Sequence, residues 1–204
     1  MRRARPYLVG LLLGSLIAGS AIAGNVSVTV LDESGKPLPD AVVFLESAQA
    51  KRLTKPLPLA QMAQRDKVFI PSLLVITTGT SVSFPNIDTV RHHVYSFSPA
   101  KRFELKLYVG TPTNPVVFDK PGVVVMGCNI HDQMIAYILV VDTPFYGTAT
   151  ANGLVAMNDV PAGDYSMRIW HSRLPVGSAA QKQTLKVTDT EAPIKVTLKG
   201  LGPQ

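Results

Sequence analysis

Short apolar segments, the first alternating at period two, separated by Gly, Pro, Asn and Asp and never joined by a sustained 3.6-residue pattern, constrain this chain more than any other feature. Val26-Ser27-Val28-Thr29-Val30 sets the pattern, and Ala41-Val42-Val43-Phe44-Leu45 follows a turn cluster at residues 32–37, so 26–46 is predicted to be a hairpin. From residue 68 the segments are 68–70, 73–77, 81–84, 93–97, 116–119, 123–128 and 135–141. After Thr143-Pro144 they resume at 148–150, 154–157, 165–170, 183–187 and 194–198. Lys101 to Tyr108 reads as a helical turn or a loop. The fold class is therefore all-β, an antiparallel sandwich or barrel. With 17% charged residues, 46% hydrophobic residues, 15 Gly and 16 Pro, long disorder and coiled coils are excluded.

The first 23 residues read as an address. Arg2, Arg3 and Arg5 precede an apolar run from Tyr7 to Ile17, and Ala21-Ile22-Ala23 forms a small-x-small site before Gly24. A cleaved secretory signal and a periplasmic setting are expected; an uncleaved anchor is the alternative, the segment being just long enough if it continues to Ala23. Removal of the leader leaves about 181 residues, one large domain or two small ones, with 17 basic against 14 acidic side chains. That surplus is too small to imply a nucleic-acid partner, and none is expected; no other segment is apolar enough to span a membrane. Cys128 is the one cysteine, so no intramolecular disulfide can form in the oxidising compartment that export implies. Such a thiol is either an inert buried residue or one that something protects.

Two flanking blocks share a signature. Gly35-Lys36-Pro37-Leu38-Pro39-Asp40-Ala41, with Ala151-Asn152-Gly153 and Asp159-Val160-Pro161-Ala162-Gly163-Asp164-Tyr165, resembles carboxypeptidase-regulatory-like, prealbumin-like sandwich domains. Those motifs lie close together in that family and about 100 residues apart here, which implies an insertion between them. The expected organisation is a signal at 1–23, the first hairpin of the regulatory-like sandwich at 24–58, an inserted domain at 59–142, and the rest of the sandwich at 143–204. One extended sandwich with decorations is the competing arrangement.

The chemistry lies in the middle block. Gly127-Cys128-Asn129-Ile130-His131-Asp132-Gln133-Met134 places a thiolate, an imidazole and a thioether at Cys-x2-His-x2-Met spacing between two strands. Soft and borderline transition metals prefer these donors, and two histidines, a cysteine and a weak methionine define a blue-copper site. The second imidazole must come from elsewhere, and Phe84 to Val94 supplies His92 and His93 at the mouth of another strand.

With those residues the segment 59–142 resembles the cupredoxins, in particular plastocyanin and amicyanin. The likeness includes Val68-Phe69-Ile70-Pro71, Gly79 to Phe84 with Asn86 and Asp88, and the Cys loop running into Ile135 to Val141. It implies a Greek-key β-sandwich inserted in or packed on the prealbumin-like one, with His92, Cys128, His131 and Met134 as ligands of one type-1 copper. The whole arrangement is also similar to periplasmic methylamine-utilisation-type proteins. Two positions depart from the pattern: His93 stands where Asn commonly ties the ligand loops together, and Asp132 where Pro is common. His93 is thus the alternative to His92, since strand alternation lets only one of the pair face the metal. Met134 and Met126 each also suit a core role, and His171 beside Trp170 reads as strand packing.

A site of this kind implies a carrier of single electrons between redox partners, such as a c-type cytochrome or an oxidoreductase. No nucleophile–base pair and no Gly-rich phosphate loop suggests an enzyme. The alternative is a module that stores, delivers or senses copper.

Overall fold

In the computed structural model, residues 23–188 and 193–203 are described. The expected leader lies outside them apart from Ala23, which opens the first strand. The elements run β1 (Ala23–Leu31), β2 (Val42–Glu46), α1 (Ala48–Leu53), β3 (Ala60–Gln61), β4 (Ala63–Arg65), β5 (Val68–Ile70), β6 (Leu73–Thr77), β7 (Thr80–Ser83) and β8 (His92–Ser98). They continue with β9 (Lys101–Tyr108), β10 (Val116–Phe118), β11 (Gly122–Cys128), β12 (Ile135–Val141) and β13 (Tyr146–Thr148). The last four are β14 (Leu154–Pro161), β15 (Gly163–Trp170), β16 (Gln181–Val187) and β17 (Ile194–Thr197). Among the described residues no helix is long and apolar enough to cross a membrane.

The chain is all-β, and four sheets stack face to face. The outermost sheet has the order β14-β1-β17 and packs on β13-β2-β15-β16. Alternation explains the core between them: Val26, Val28 and Val30 of β1 face Val43 and Leu45 of β2 and Tyr165, Met167 and Ile169 of β15. A five-stranded sheet, β6-β12-β11-β8-β9, packs in turn on β10-β7-β3. Its inward residues Val94, Val124, Met126, Ala136, Ile138 and Val140 close a second core with Phe84 and Phe118.

Both middle sheets are buried on two faces. Val42, Phe44 and Trp170 meet Leu139 and Val141 in a third apolar layer. The run Tyr137-Ile138-Leu139-Val140-Val141 is accordingly apolar on both sides, as a doubly covered strand must be. Trp170 packs against Tyr137 with ring centroids 5.4 Å apart. This layer fixes the sandwich that carries Cys128 against its neighbour.

Two local expectations are corrected. Residues 26–46 do not form a hairpin, because β1 pairs with β14 and β17 while β2 pairs with β13 and β15. The chain does reverse after β1, with Leu38 N–H bonded to the Val30 carbonyl, but Asp40 at φ 61° turns it into the opposite sheet. Alternation says which face is apolar and not whether two such faces pair side by side or pack face to face.

Lys101–Tyr108 is neither a helical turn nor a loop; it is β9, paired with β8. Period two was present there: Arg102, Glu104 and Lys106 are exposed while Phe103 and Leu105 lean on the core. Phe103 meets Phe84 and Phe118 at centroid distances of 5.5 and 6.0 Å. The six-residue α1 carries no readable period in so short a span; Ser47 caps it by accepting the Ala50 N–H at 3.0 Å.

Candidate metal centre

β8 alternates strictly, with His92, Val94 and Ser96 buried and the residues between them more open. His92 therefore enters the sandwich interior, where its exposure is 0%. On the adjacent strand β11, Val124, Met126 and Cys128 share the inward face, so Cys128 arrives beside His92 at the strand's end. The backbone then turns tightly: Met134 N–H donates to the His131 carbonyl at 2.9 Å before β12 begins. That turn brings His131 back over Cys128.

The three donors are gathered before any metal is considered. Cys128 Sγ stands 3.8 Å from His92 Nδ1 and 3.8 Å from His131 Nδ1. The donor atoms of His92, Cys128 and His131 all lie within 4.8 Å of one another. Metal–nitrogen and metal–thiolate bonds of about 2.0 and 2.3 Å meeting at trigonal angles would hold nitrogen and sulfur about 3.7 Å apart. The observed spacing matches that value, and the soft thiolate with two imidazoles is the donor set copper favours. Cys128 is 4% exposed, so the sulfur is shielded from solvent. Met134 is 1% exposed and packs in the same core cluster as Cys128 and Met126.

His93 points elsewhere. Its Nε2 is 2.8 Å from Glu104 Oε1 on the other face of β8, and its ring meets Tyr95 edge-on. The position still joins the two ligand loops, because Asn129 N–H donates to the His93 carbonyl at 3.1 Å. A backbone bond of this kind does not depend on the residue at 93. His171 lies in the other sandwich with both ring nitrogens engaged: Nε2 is 3.2 Å from the Pro39 carbonyl, and Nδ1 accepts the Arg173 N–H at 3.0 Å. Burial holds its pKa below the ordinary value, Arg173 adding to the effect against the Pro39 carbonyl.

The approach to His92 is braced by polar residues whose part the sequence reading did not identify. Asn86 Nδ2 donates to the carbonyls of Val90 and Tyr108 at 2.8 and 2.9 Å, and its Oδ1 accepts the Asp88 N–H at 2.9 Å. The Tyr108 hydroxyl lies 2.6 Å from Gln64 Oε1 and 2.7 Å from the Phe84 carbonyl. Burial pushes that phenol well up, with Cys128 adding to it, so it remains a donor. Asp88 Oδ2 is 2.7 Å from His92 Nε2. Burial opposes the ionisation of Asp88, but bonds from Lys67, His92 and Asp66 outweigh it and hold the carboxyl below its usual range. Asp88 at four residues before a candidate ligand was the signal available.

Beside the centre, a cleft of about 880 Å³ opens between the two middle sheets, walled by Phe44, Tyr95, Phe97, Ile135 and Arg168. Its lining extends to Gly127 and Cys128 at the end of β11.

No protein-family pattern matches the sequence, and no curated protein matches it. Among solved structures, the chain is similar to a purple cupredoxin from Nitrosopumilus maritimus, at 23% identity and a TM-score of 0.35, over 40% of this chain and 99% of that one. A copper-containing nitrite reductase from Thermus scotoductus matches at 28% identity and a TM-score of 0.38, over 43% of this chain and 23% of that one. An amicyanin variant matches at 14% identity and a TM-score of 0.37, over 48% of this chain and 98% of that one. On its own donor types and spacing, the His92, Cys128 and His131 cluster fits a single type-1 copper site.

Proposed function

We propose that this chain is an exported type-1 copper protein that carries single electrons between redox partners, with His92, Cys128, His131 and Met134 as the residues that would hold the metal. The observation that carries the reading is the preassembled thiol with two imidazole nitrogens, each 3.8 Å from the sulfur. Bound copper would supply a one-electron couple between Cu(I) and Cu(II). The chain's own part is to keep the donors in one arrangement acceptable to both states, so that little moves when the electron does. His92 sits on a strand, Cys128 at a strand end, and His131 in a four-residue turn closed by a backbone bond. Rigid supports of this kind suit electron transfer better than substrate turnover.

His131 is the partly exposed member of the set, while His92 and Cys128 are buried. Electrons therefore enter and leave by the His131 edge. Apolar side chains surround the ligand loops there, with Ile87, Val90 and Ile130 exposed, which suits brief contact with a partner such as a c-type cytochrome or an oxidoreductase. Residues 1–23 are the cleaved signal that takes the chain to the periplasm, and 59–142 form the copper domain, inserted between 24–58 and 143–204. Metal ligation would then protect the single thiol in an oxidising compartment.

Copper titration of the mature chain with visible and paramagnetic resonance spectra tests the proposal. One equivalent of copper should give an intense thiolate-to-copper band that Cys128→Ser abolishes without unfolding the protein. A colourless protein at full copper occupancy would overturn the carrier and leave storage or delivery.

A further inference from the structure

Asp88 does more than neighbour His92. An ionised carboxylate only accepts, so the 2.7 Å contact between Asp88 Oδ2 and His92 Nε2 places the ring proton on Nε2. In the neutral ring the lone pair then lies on Nδ1, the nitrogen 3.8 Å from Cys128 Sγ. The His92 ring is 0% exposed and Asp88 only 11%, so water does not compete for that bond.

Asp88 is itself tied down from 21 and 22 residues away. Its Oδ1 accepts the Asp66 N–H at 2.5 Å and its Oδ2 the Lys67 N–H at 3.0 Å. These two amides form the turn between β4 and β5, and both residues lie in the left-handed region, at φ 53° and 55°. Two-residue hairpin turns with two positive φ angles favour Asn-Gly, because a side chain crowds the backbone there. An Asp-Lys turn is an unfavourable local choice, and it presents two N–H groups to one carboxylate.

We propose that Asp88, anchored by the 66–67 turn, is a positioning residue of the copper centre: it fixes the tautomer and direction of His92, and its charge makes that imidazole a stronger donor to the oxidised metal. Carboxylate partners of metal-bound histidines act in this way generally. The inference rests on reading the cluster as a copper site, but its effect on His92 exists without the metal.

The test compares the full mature chain with Asp88→Ala, Asp88→Asn and Lys67→Gly. Nitrogen NMR of the metal-free proteins reads the His92 tautomer; copper titration and potentiometry read the loaded ones. Asp88→Ala should give a mixture of tautomers and a copper affinity lower by roughly 10–100-fold. Asp88→Asn keeps an oxygen acceptor for Nε2–H but loses the charge and the Asp66 bond. It should keep the tautomer and the resonance spectrum while the reduction potential rises. Lys67→Gly retains both amides and relieves the turn, so the melting temperature should rise with the potential unchanged.

A single unchanged tautomer in Asp88→Ala, or wild-type potentials in both Asp88 variants, would overturn the proposal and leave Asp88 a loop anchor. Should the parent chain bind no copper, the copper reading falls by itself, and the tautomer comparison still decides whether Asp88 positions His92.

Discussion

The ring of Tyr95 lies across Gly127, so close that a Cβ at Gly127 would stand 2.9 Å from Tyr95 Cζ and 3.0 Å from its hydroxyl oxygen. The two residues are paired across β11 and β8, one position before Cys128 pairs with Val94. The glycine thus lets an aromatic side chain cover the outer side of the strand end that delivers the thiol. Tyr95 also packs against Phe97 at 5.1 Å.

Gly127→Ala should push the ring off the strand, with a stability loss of about 1–3 kcal/mol in chemical denaturation. Because the strain falls next to Cys128, the copper band should shift as well. Adding Tyr95→Ser should recover most of the loss; no recovery would mean the clash is not with that ring.

The adjacent histidines should behave oppositely. His92→Ala removes an inward donor whose place no neighbour can take, and the visible band should collapse. His93→Asn gives up the 2.8 Å contact with half-exposed Glu104, worth under about 1 kcal/mol, and the edge-on contact with Tyr95, and should keep the band. The reverse result would assign the ligand to His93.

Trp170 fills the layer between the middle sheets at 3% exposure. Trp170→Ala should cost about 3–5 kcal/mol of stability while leaving the copper spectrum of the folded protein unchanged. Expressing residues 59–142 alone asks the same question of the proposed insertion: the fragment should still bind copper, though less stably, because its outer face loses Val42, Phe44 and Trp170.

Acid should weaken the protein through His171. Its folded pKa lies below 6.5, so the unfolded chain binds its proton first. The contribution is complete above about pH 6.5 and declines as pH falls through the range between the unfolded and folded values. His171→Gln should flatten the stability profile just below pH 6.5, measured by denaturant titration at several pH values. An unaltered profile would show that His171 stays neutral at no cost.

What the sequence alone determined follows from local rules. Period-two alternation marks strand faces, and the inward set of β11, Val124, Met126 and Cys128, was readable from it. The Cys-x2-His-x2-Met spacing is short enough for one tight turn, so Cys128 and His131 had to be neighbours. The pairing of His92 with them was legible only through resemblance, since 36 residues separate it from Cys128. Tertiary structure alone decided which apolar faces pair and which pack. It sent β1 and β2 to opposite sheets although they follow one another across a turn cluster as hairpin strands would. It also covered β12 on both sides, and it brought the turn amides of Asp66 and Lys67 to Asp88, and Asp88 to His92. Alternation records how a residue faces its own strand, whereas the partner across a sheet or a core is chosen by the burial of many such faces together.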